Sequence, residues 1–271
     1  MPPRFSRPRL IDAEDKQYRA FIEQIMLGKD NQRPTRLPYA RELFGGEAEA
    51  ALRQWLGQQR ALSERRIVEY HEHRGRSSIK KYRELDAVVL VDNRTVEVYE
   101  IKASRKAGSL RRASQQLRDT RNILRMLFSR VSATILLVDT GIPKNEADVA
   151  ALMQELAERS DTGEAPPYPP PTLGEVLASL PHVHAINSLD EQTFDADAVS
   201  LMHFSVDDII AIAGAENLHL DWDEDEIEDD VPEEAAPEPP RYAYSTDEAQ
   251  PDEEDESPLA AALRKAMQGR Q

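Results

Sequence analysis

Apolar side chains recur every three or four positions in three stretches of the first 140 residues, which is the spacing of an amphipathic helix. The first predicted helix covers about residues 12–27 and follows a Pro- and Arg-rich arm. A second opens at Gly45-Gly46, and a third covers residues 109–128. The third turns an apolar side inward that consists of Leu110, Ala113, Leu117, Leu124 and Leu127.

Between the second and third predicted helices the pattern changes to the short apolar runs that are typical of β-strands. These runs cover about residues 65–73, 83–91 and 95–102. A further run, residues 132–138, is almost entirely apolar (SATILLV) and predicts a strand that is covered on both faces. The predicted order over residues 41–140 is therefore helix, three strands, helix, strand, which defines an α/β unit.

The alternation continues less regularly over residues 141–220, which we assign to the same domain, so that the domain covers residues 41–220. Residues 1–40 form an N-terminal arm and helix in this division. Ser205 is predicted to cap a last helix over residues 206–213, because serine is a preferred N-cap residue. Asp207 and Asp208 lie in the first turn of this helix, where the helix dipole favours acidic side chains. The other predicted elements are, in order, two helices and two strands over residues 146–158, 173–179, 182–186 and 199–204.

Charge is distributed unevenly along the chain, whose formal net charge is −16. Residues 223–258 alone hold 17 Asp and Glu against one basic residue, with almost no aliphatic side chains. Such a composition cannot bury enough apolar surface to fold, so we expect residues 221–258 to be a disordered acidic linker. Residues 259–271 then carry apolar side chains at helical spacing, which predicts a short C-terminal helix. The linker and this helix are a candidate docking segment for a protein partner.

Residues 53–130 carry the opposite charge, with 19 Lys and Arg against 9 Asp and Glu. A local net charge of +10 is expected where a protein holds a phosphate backbone. The absence of cysteine excludes disulfide bonds and thiolate metal sites. No apolar run approaches the roughly 20 residues that span a bilayer, and the N-terminus lacks the apolar core of a secretory signal. We therefore expect a cytoplasmic protein without membrane association.

Two short acidic motifs lie inside this basic region, Glu84-Leu85-Asp86 on one predicted strand and Glu100-Ile101-Lys102 on the next. Side chains alternate along a strand, so Glu100 and Lys102 share one face. Two facing carboxylates raise each other's pKa unless a cation lies between them. Carboxylates are the ligands that hard cations select, and a bound divalent ion activates water for phosphodiester hydrolysis. The motifs therefore predict a site for Mg²⁺ or Mn²⁺.

The relative position of the two motifs depends on the length of the loop between the strands. If residues 92–94 form that loop, Val91 pairs with Thr95 and Asp86 falls directly opposite Glu100. A two-residue loop would shift the register by one position and separate the two carboxylates. The direct pairing therefore requires a loop with an odd number of residues.

The stretch RELDAVVLVDNRTVEVYEIKAS resembles the core of PD-(D/E)xK proteins, the restriction-endonuclease-like superfamily. The predicted order of elements over about residues 45–140 also resembles the core of that superfamily. The resemblance implies a metal-dependent nuclease, with DNA as the favoured substrate and a role in restriction, defence or repair. It further implies that Asp86 and Glu100 bind the metal and that Lys102 is the catalytic lysine. Leu85 stands where the family has a proline.

Members of this superfamily often add a glutamate from the first helix, and some place a glutamine on the following helix near the metal. Glu47 and Glu49 are the candidate glutamates. We favour Glu49, because it lies on the same helical side as the apolar residue Leu52, whereas Glu47 suits the first turn of a helix. Gln116 is the candidate glutamine, with a neutral helix surface as the favoured alternative.

Basic side chains around the two motifs are candidates for contacts with phosphates, and part of the set is expected to be ordinary solvated surface. These residues are Lys80 and Lys81 in a predicted loop, Arg105 and Lys106 after the second motif, and Arg111 and Arg112 on the helix that follows. Two histidine pairs, His71 with His73 and His182 with His184, are assigned structural or surface roles, because two histidines alone do not make a zinc site.

A second functional hypothesis remains open. The chain could keep a nuclease-like fold and work as a binding or assembly module through residues 221–271, because an acidic segment with a terminal helix is a common layout for interaction segments. Both hypotheses are compatible if the chain is the nuclease subunit of a larger complex. The sequence does not determine the oligomeric state, and a homo-oligomer is compatible with it.

Overall fold

A computed structural model describes residues 4–28, 40–74, 77–159 and 166–221 of the chain. Its helices and strands follow one another in this order: β1 (Arg4–Ile11), α1 (Lys16–Gly28), α2 (Ala40–Gln59), β2 (Ile67–Arg74), β3 (Ser77–Glu84), β4 (Ala87–Leu90), β5 (Thr95–Ser104), α3 (Ser109–Leu124), β6 (Arg130–Asp139), α4 (Glu146–Arg159), α5 (Leu173–Ala178), β7 (Val183–Ala185), β8 (Val199–Ser205) and α6 (Val206–Ala213). The predicted acidic linker, from residue 222 onward, and the predicted C-terminal helix lie outside the described residues.

The strands form two sheets, and the expectation of an α/β protein is confirmed. Strands β1, β2 and β3 make an antiparallel sheet in that order. The second sheet is mixed and has the order β4-β5-β6-β8-β7, in which β4 is antiparallel to β5 and the other neighbours are parallel. Within the described residues, no helix is both long and apolar enough to cross a membrane.

The two sheets are joined at a bend between β3 and β4, which are separated only by Leu85 and Asp86. On one side of the bend, the Leu85 N–H donates to the Arg66 carbonyl oxygen at 2.8 Å, next to β2. On the other side, Ala87 pairs with Tyr99 of β5. The chain therefore changes its hydrogen-bonding partner at this bend, and Asp86 lies at the change.

Helices cover both faces of the mixed sheet because side chains alternate along its strands. On one face, α2 packs Phe44, Ala48, Leu52 and Leu56 around Tyr99 and Ile101. On the other face, α3 packs Leu110, Ala113 and Leu117 over Val96 and Val98. Burial of apolar surface on both faces fixes β5 between the two helices.

The structure corrects four details of the first hundred residues. The predicted arm contains β1, which pairs with β2, and α2 begins at Ala40 rather than at Gly45-Gly46. The predicted basic loop is strand β3, and the predicted strand 83–91 is split by the bend. Strand β3 was not predicted because it is rich in charged side chains rather than apolar ones. These charges are paired across the hairpin, Lys80 with Glu69 at 3.5 Å and Lys81 with Glu72.

The later elements agree with the sequence pattern to within a few residues. The third predicted helix is α3, which ends at Leu124, and the buried apolar strand is β6. Ser205 caps α6, because its Oγ accepts from the Asp208 N–H at 3.2 Å while Asp208 Oδ2 accepts from the Ser205 N–H at 2.7 Å.

One charged side chain of α3 is completely buried. The Arg121 guanidinium donates to the carbonyl oxygens of Ala196, at 3.1 Å, and Ala198, and so joins α3 to the segment before β8. Burial, together with the nearby charge of Arg125, lowers the pKa of Arg121 to about 10, which leaves it charged at neutral pH.

We expect Arg121→Met to lower the free energy of unfolding by about 1–3 kcal/mol, because the carbonyl groups of Ala196 and the buried Ala198 lose their donor. Urea unfolding followed by circular dichroism measures this change. Arg125→Met removes an exposed cation just after the C-terminal end of α3 and should change stability by no more than about 0.5 kcal/mol. Equal stability of the wild type and Arg121→Met would contradict the anchoring role.

Candidate functional site

The hairpin of β4 and β5 has the register that an odd-length loop requires. The Val91 N–H donates to the Thr95 carbonyl oxygen at 3.1 Å, and Val88 lies opposite Val98. The prediction of this register is confirmed. Continuing it by one position beyond the Ala87–Tyr99 pair places Asp86 and Glu100 next to each other.

At the end of this hairpin, the Asp86 side chain accepts a hydrogen bond that a main-chain carbonyl would otherwise accept. Antiparallel strands exchange hydrogen bonds at every second residue pair. Counting in twos from the Val91–Thr95 pair, the Ile101 N–H would donate to the Leu85 carbonyl oxygen. Leu85 has turned towards Arg66, and the Ile101 N–H donates instead to Asp86 Oδ2 at 2.6 Å. This hydrogen bond fixes one oxygen of the half-buried Asp86 carboxylate beside β5.

Glu100 lies between the strands and α3. The Gln116 amide Nε2 donates to Glu100 Oε2 at 3.0 Å, so the predicted glutamine contacts the predicted metal-binding carboxylate. Burial raises the pKa of Glu100 to about 7, and the charges of Asp86 and Glu49 add to this effect. The positive charge of Lys102 partly opposes the rise.

Helix α2 contributes Glu49 to the site. The Glu49 side chain is exposed, yet partial desolvation of its carboxyl group raises the pKa of Glu49, and the negative charge of Asp86 raises it further. Glu47 lies elsewhere, because its Oε2 accepts from the His219 N–H at 2.7 Å. Of the two candidate glutamates, the structure therefore brings Glu49 to the strand carboxylates.

Lys102 shares its strand face with Glu100 and has an exposed side chain. Its charge lowers the pKa of Asp86, Glu100 and Glu49, although desolvation keeps each of the three above its ordinary value. One cation is therefore electrostatically coupled to three carboxyl groups that repel one another.

Three arginines that the sequence analysis did not single out hold this site in place. Arg53 of α2 donates to the Asp86 carbonyl oxygen at 2.8 Å, and Arg66 pairs with Glu84 at 2.7 Å. Arg83 of β3 donates to the Gln116 carbonyl oxygen at 2.9 Å and so ties β3 to the turn of α3 that carries Gln116. In a region rich in arginine, nothing in the sequence distinguishes these three from the others.

The predicted phosphate-binding residues divide into two groups. Lys80 and Lys81 belong to ion pairs with β2, and Lys80 also donates to Gln17 Oε1 at 2.7 Å. The other group lies around the start of α3. Arg105 and Lys106 line a cavity at the end of β5, while Arg111 and Arg112 are exposed on the first turns of the helix.

The histidine pairs do not assemble into a metal site in the described part of the chain. His71 contacts Ser78 Oγ at 3.2 Å, and His73 contacts Ser6 Oγ at 2.7 Å. Among the described residues, no group of three or more His, Asp or Glu side chains is gathered in a way that could hold a metal ion. The carboxyl groups of Asp86, Glu100 and Glu49 are thus coupled by charge without being gathered as ligands of one ion.

Comparison with protein-family models, curated proteins and solved structures finds no match for this chain.

The raised pKa of Glu100 predicts a pH-dependent stability in metal-free buffer. The folded chain holds the Glu100 proton up to about pH 7, whereas the unfolded chain releases it near 4.5. Stability is therefore lost as the pH rises through this window. Because Glu100→Gln has no charge to bury, its stability relative to the wild type should grow by about 2–3 kcal/mol between pH 5 and pH 8.

Urea unfolding at several pH values in the presence of a chelator measures this difference. Glu64→Gln removes an exposed carboxylate and should show a difference from the wild type that does not change with pH. A difference between Glu100→Gln and the wild type that is equally independent of pH would mean that Glu100 titrates normally.

Proposed function

We propose that this chain is a metal-dependent nuclease of the PD-(D/E)xK type, which hydrolyses phosphodiester bonds of nucleic acid. The observation that carries the proposal is the grouping at the bend. Asp86 and Glu100 adjoin across a hairpin, Lys102 shares their face, and Glu49 approaches from α2. The order helix, strands, helix, strand around this grouping supports a restriction-endonuclease-like core.

The donor set suits Mg²⁺ or Mn²⁺, which prefer carboxylate oxygens. Asp86 is held with one oxygen on the Ile101 N–H, which leaves its other oxygen for a ligand role. Glu49 and Glu100 have longer side chains, whose rotation could bring their carboxylates to the same ion. Gathering the three carboxylates would require a cation, because their charges repel one another.

A bound divalent ion would lower the pKa of a water molecule and neutralise charge on the phosphate during attack. The residues of the chain have separate tasks. Asp86, Glu100 and Glu49 would hold the ion, and Gln116 fixes the orientation of Glu100. The Lys102 ammonium, on the face of Glu100, orients the attacking water and stabilises negative charge on the phosphate.

DNA is the substrate that we propose, because the site lies inside residues 53–130, which carry a net charge of +10. A basic segment of this kind favours a phosphate backbone irrespective of base sequence. The proposed place of the reaction is a restriction, defence or repair complex. In such a complex, the segment beyond residue 221 is the proposed contact with a protein partner.

We expect purified protein to cut or nick DNA in the presence of Mg²⁺ or Mn²⁺ and to be inactive with a chelator. Asp86→Asn and Lys102→Ala should each lower the cleavage rate at least about 100-fold, because each removes several kcal/mol of transition-state stabilisation. Gel assays with plasmid and linear DNA measure the loss, and circular dichroism checks the fold.

Glu47→Gln is the matched control, because it removes a carboxylate from the same helix on the side of His219. It should cut DNA at the wild-type rate. Cleavage by both Asp86→Asn and Lys102→Ala at the wild-type rate would exclude the nuclease proposal. A chain that binds DNA or a protein partner and never cuts would instead support the binding-module hypothesis.

Two neighbouring glutamines on α3 give a sharper test of the site. Gln116 donates to Glu100, whereas Gln115 donates to Asp119 Oδ1 at 3.0 Å on the helix surface. We expect Gln116→Leu to weaken Mn²⁺ binding and cleavage about 10- to 100-fold, as loss of a partner of a metal ligand does. Gln115→Leu should leave both unchanged, as measured by Mn²⁺ titration and cleavage assays. Equal effects of the two substitutions would remove Gln116 from the site.

A further inference from the structure

Helix α4 has an apolar side that the core of the domain does not use. Its side chains Val149, Leu152, Met153 and Leu156 recur at i, i+3, i+4 and i+7, so they form one stripe along the helix. All four are half-buried, and within the described residues none belongs to the buried clusters under α2 and α3 or packs against them. An amphipathic helix normally covers such a stripe with another apolar surface. The partner of this stripe therefore lies outside the core.

The first turn of α4 is connected to the mixed sheet. Lys144 Nζ pairs with Asp139 Oδ2, at the end of β6, at 3.6 Å, and the Lys144 N–H donates to Asp148 Oδ2 at 2.9 Å. Asn145 Oδ1 accepts from the N–H groups of Ala147 and Asp148 at 2.9 and 3.0 Å, as an N-cap residue does. The apolar stripe is therefore part of a capped helix whose start is held by the sheet.

The charge of α4 limits what can cover this stripe. The helix carries four acidic residues against one basic residue, a net charge of −3. A second copy of α4 would bring two helices of the same charge together, and a phosphate backbone would be repelled in the same way. The stripe therefore suits an apolar segment that is positively charged. The acidic residues of α4 are Glu146, Asp148, Glu155 and Glu158, and its basic residue is Arg159.

Residues 259–271 of the same chain have this combination of properties. Leu259, Leu263 and Met267 recur at i, i+4 and i+8, which places them on one side of the predicted C-terminal helix. The segment contains Arg264, Lys265 and one further arginine, and it contains no acidic residue. Its three positive charges match the net charge of −3 on α4.

The predicted C-terminal helix also matches α4 in length. Its 13 residues would form a helix of about 20 Å, against about 21 Å for the 14 residues of α4. Ser257 and Pro258 are preferred residues at a helix start, and the alanines, leucines and basic residues that follow are strong helix formers. An isolated helix of this length is marginal in water. The segment therefore needs a partner surface to become helical.

The acidic linker is long enough for the C-terminal helix to reach α4. The described chain ends beside α2, where the His219 N–H donates to Glu47 Oε2 at 2.7 Å. Residues 222–258 follow, and a flexible chain of that length spans about 33 Å. This span is about twice the radius of gyration of about 16 Å that is typical of a domain of this size. Such a tether raises the local concentration of the helix to the millimolar range, which favours contact within one chain.

We propose that residues 259–271 dock as a helix on α4 of the same chain. Leu259, Leu263 and Met267 cover the apolar stripe, and Arg264 and Lys265 lie close to the acidic side chains of α4. Docking closes the acidic linker into a loop, and this loop remains the proposed contact for a protein partner. The docking does not depend on the proposed nuclease reaction.

The absence of cysteine allows the contact to be measured in the whole chain of 271 residues. Ala151→Cys, at an exposed position of α4, and Gln268→Cys, in the C-terminal helix, take nitroxide labels. Pulsed electron–electron double resonance then measures the distance between the labels. Because the axes of packed helices are about 8–10 Å apart, docking should give one narrow distance peak. A broad distribution of distances in the labelled chain would overturn the proposal.

Substitution of the apolar side of the C-terminal helix should abolish the narrow peak. Leu263→Ser/Met267→Ser removes two of its three large apolar side chains, and both positions lie outside the described domain. Leu90→Ser/Leu127→Ser is the matched control, because it replaces two exposed leucines away from α4, and it should keep the narrow peak. A narrow peak in Leu263→Ser/Met267→Ser would mean that the segment does not dock through its apolar side and would contradict the proposal.

Charge reversal tests the contact from both helices. Arg264→Glu/Lys265→Glu should broaden the distance distribution, because the segment then carries the same sign of charge as α4. Adding Glu155→Lys/Glu158→Lys to that variant restores opposite charges and should restore the narrow peak. A peak that Arg264→Glu/Lys265→Glu leaves unchanged would contradict the proposed match of charges.

A mixing experiment distinguishes contact within one chain from contact between copies. The doubly labelled chain is measured alone and in a large excess of unlabelled chain. Docking within the chain predicts the same narrow peak in both samples. Loss of the peak in the mixture would show that the helix docks on a second copy, which would overturn the proposal.

Discussion

The Ile101 N–H has no main-chain acceptor in the hairpin, because Leu85 turns away towards Arg66, and Asp86 Oδ2 accepts it at 2.6 Å. A buried N–H without a partner costs free energy, so the bend between β3 and β4 needs an acceptor at this position. An aspartate supplies the acceptor and a negative charge together. Because a side-chain oxygen replaces the missing main-chain acceptor, the bend places a carboxylate beside Glu100. The rest of the candidate site is arranged around that pair of carboxylates.

The cost of this arrangement is electrostatic. Burial raises the pKa of Asp86, Glu100 and Glu49 above their ordinary values, repulsion within the group adds to the rise at Glu100 and Glu49, and Lys102 opposes it only in part. A protein selected for stability alone would not collect like charges at the end of an apolar sheet. Arg53 and Gln116 hold the surrounding backbone and side chains in position despite the repulsion. The donor set has the chemistry of a cation site and suits the reaction that we propose for it.

Much of the core and of the hairpin was predictable, because alternation and loop length are local properties of a sequence. The odd-length loop determines the register that brings Asp86 to Glu100. Strand β3 was not predictable from apolar pattern, since its lysines are neutralised by glutamates on another strand. The roles of Arg53 and Arg83 depend on long side chains that cross between elements distant in sequence, 33 residues apart in each case.

The two halves of the proposed substrate-binding surface have opposite charge and lie at the same edge of the mixed sheet. Carboxylates collect where β4 begins, and the cations Arg105 and Lys106 follow the end of β5. A phosphate cannot approach three carboxylates without a cation between them. In the proposed reaction the ion therefore binds before the phosphate or together with it, because the carboxylates would otherwise repel the strand.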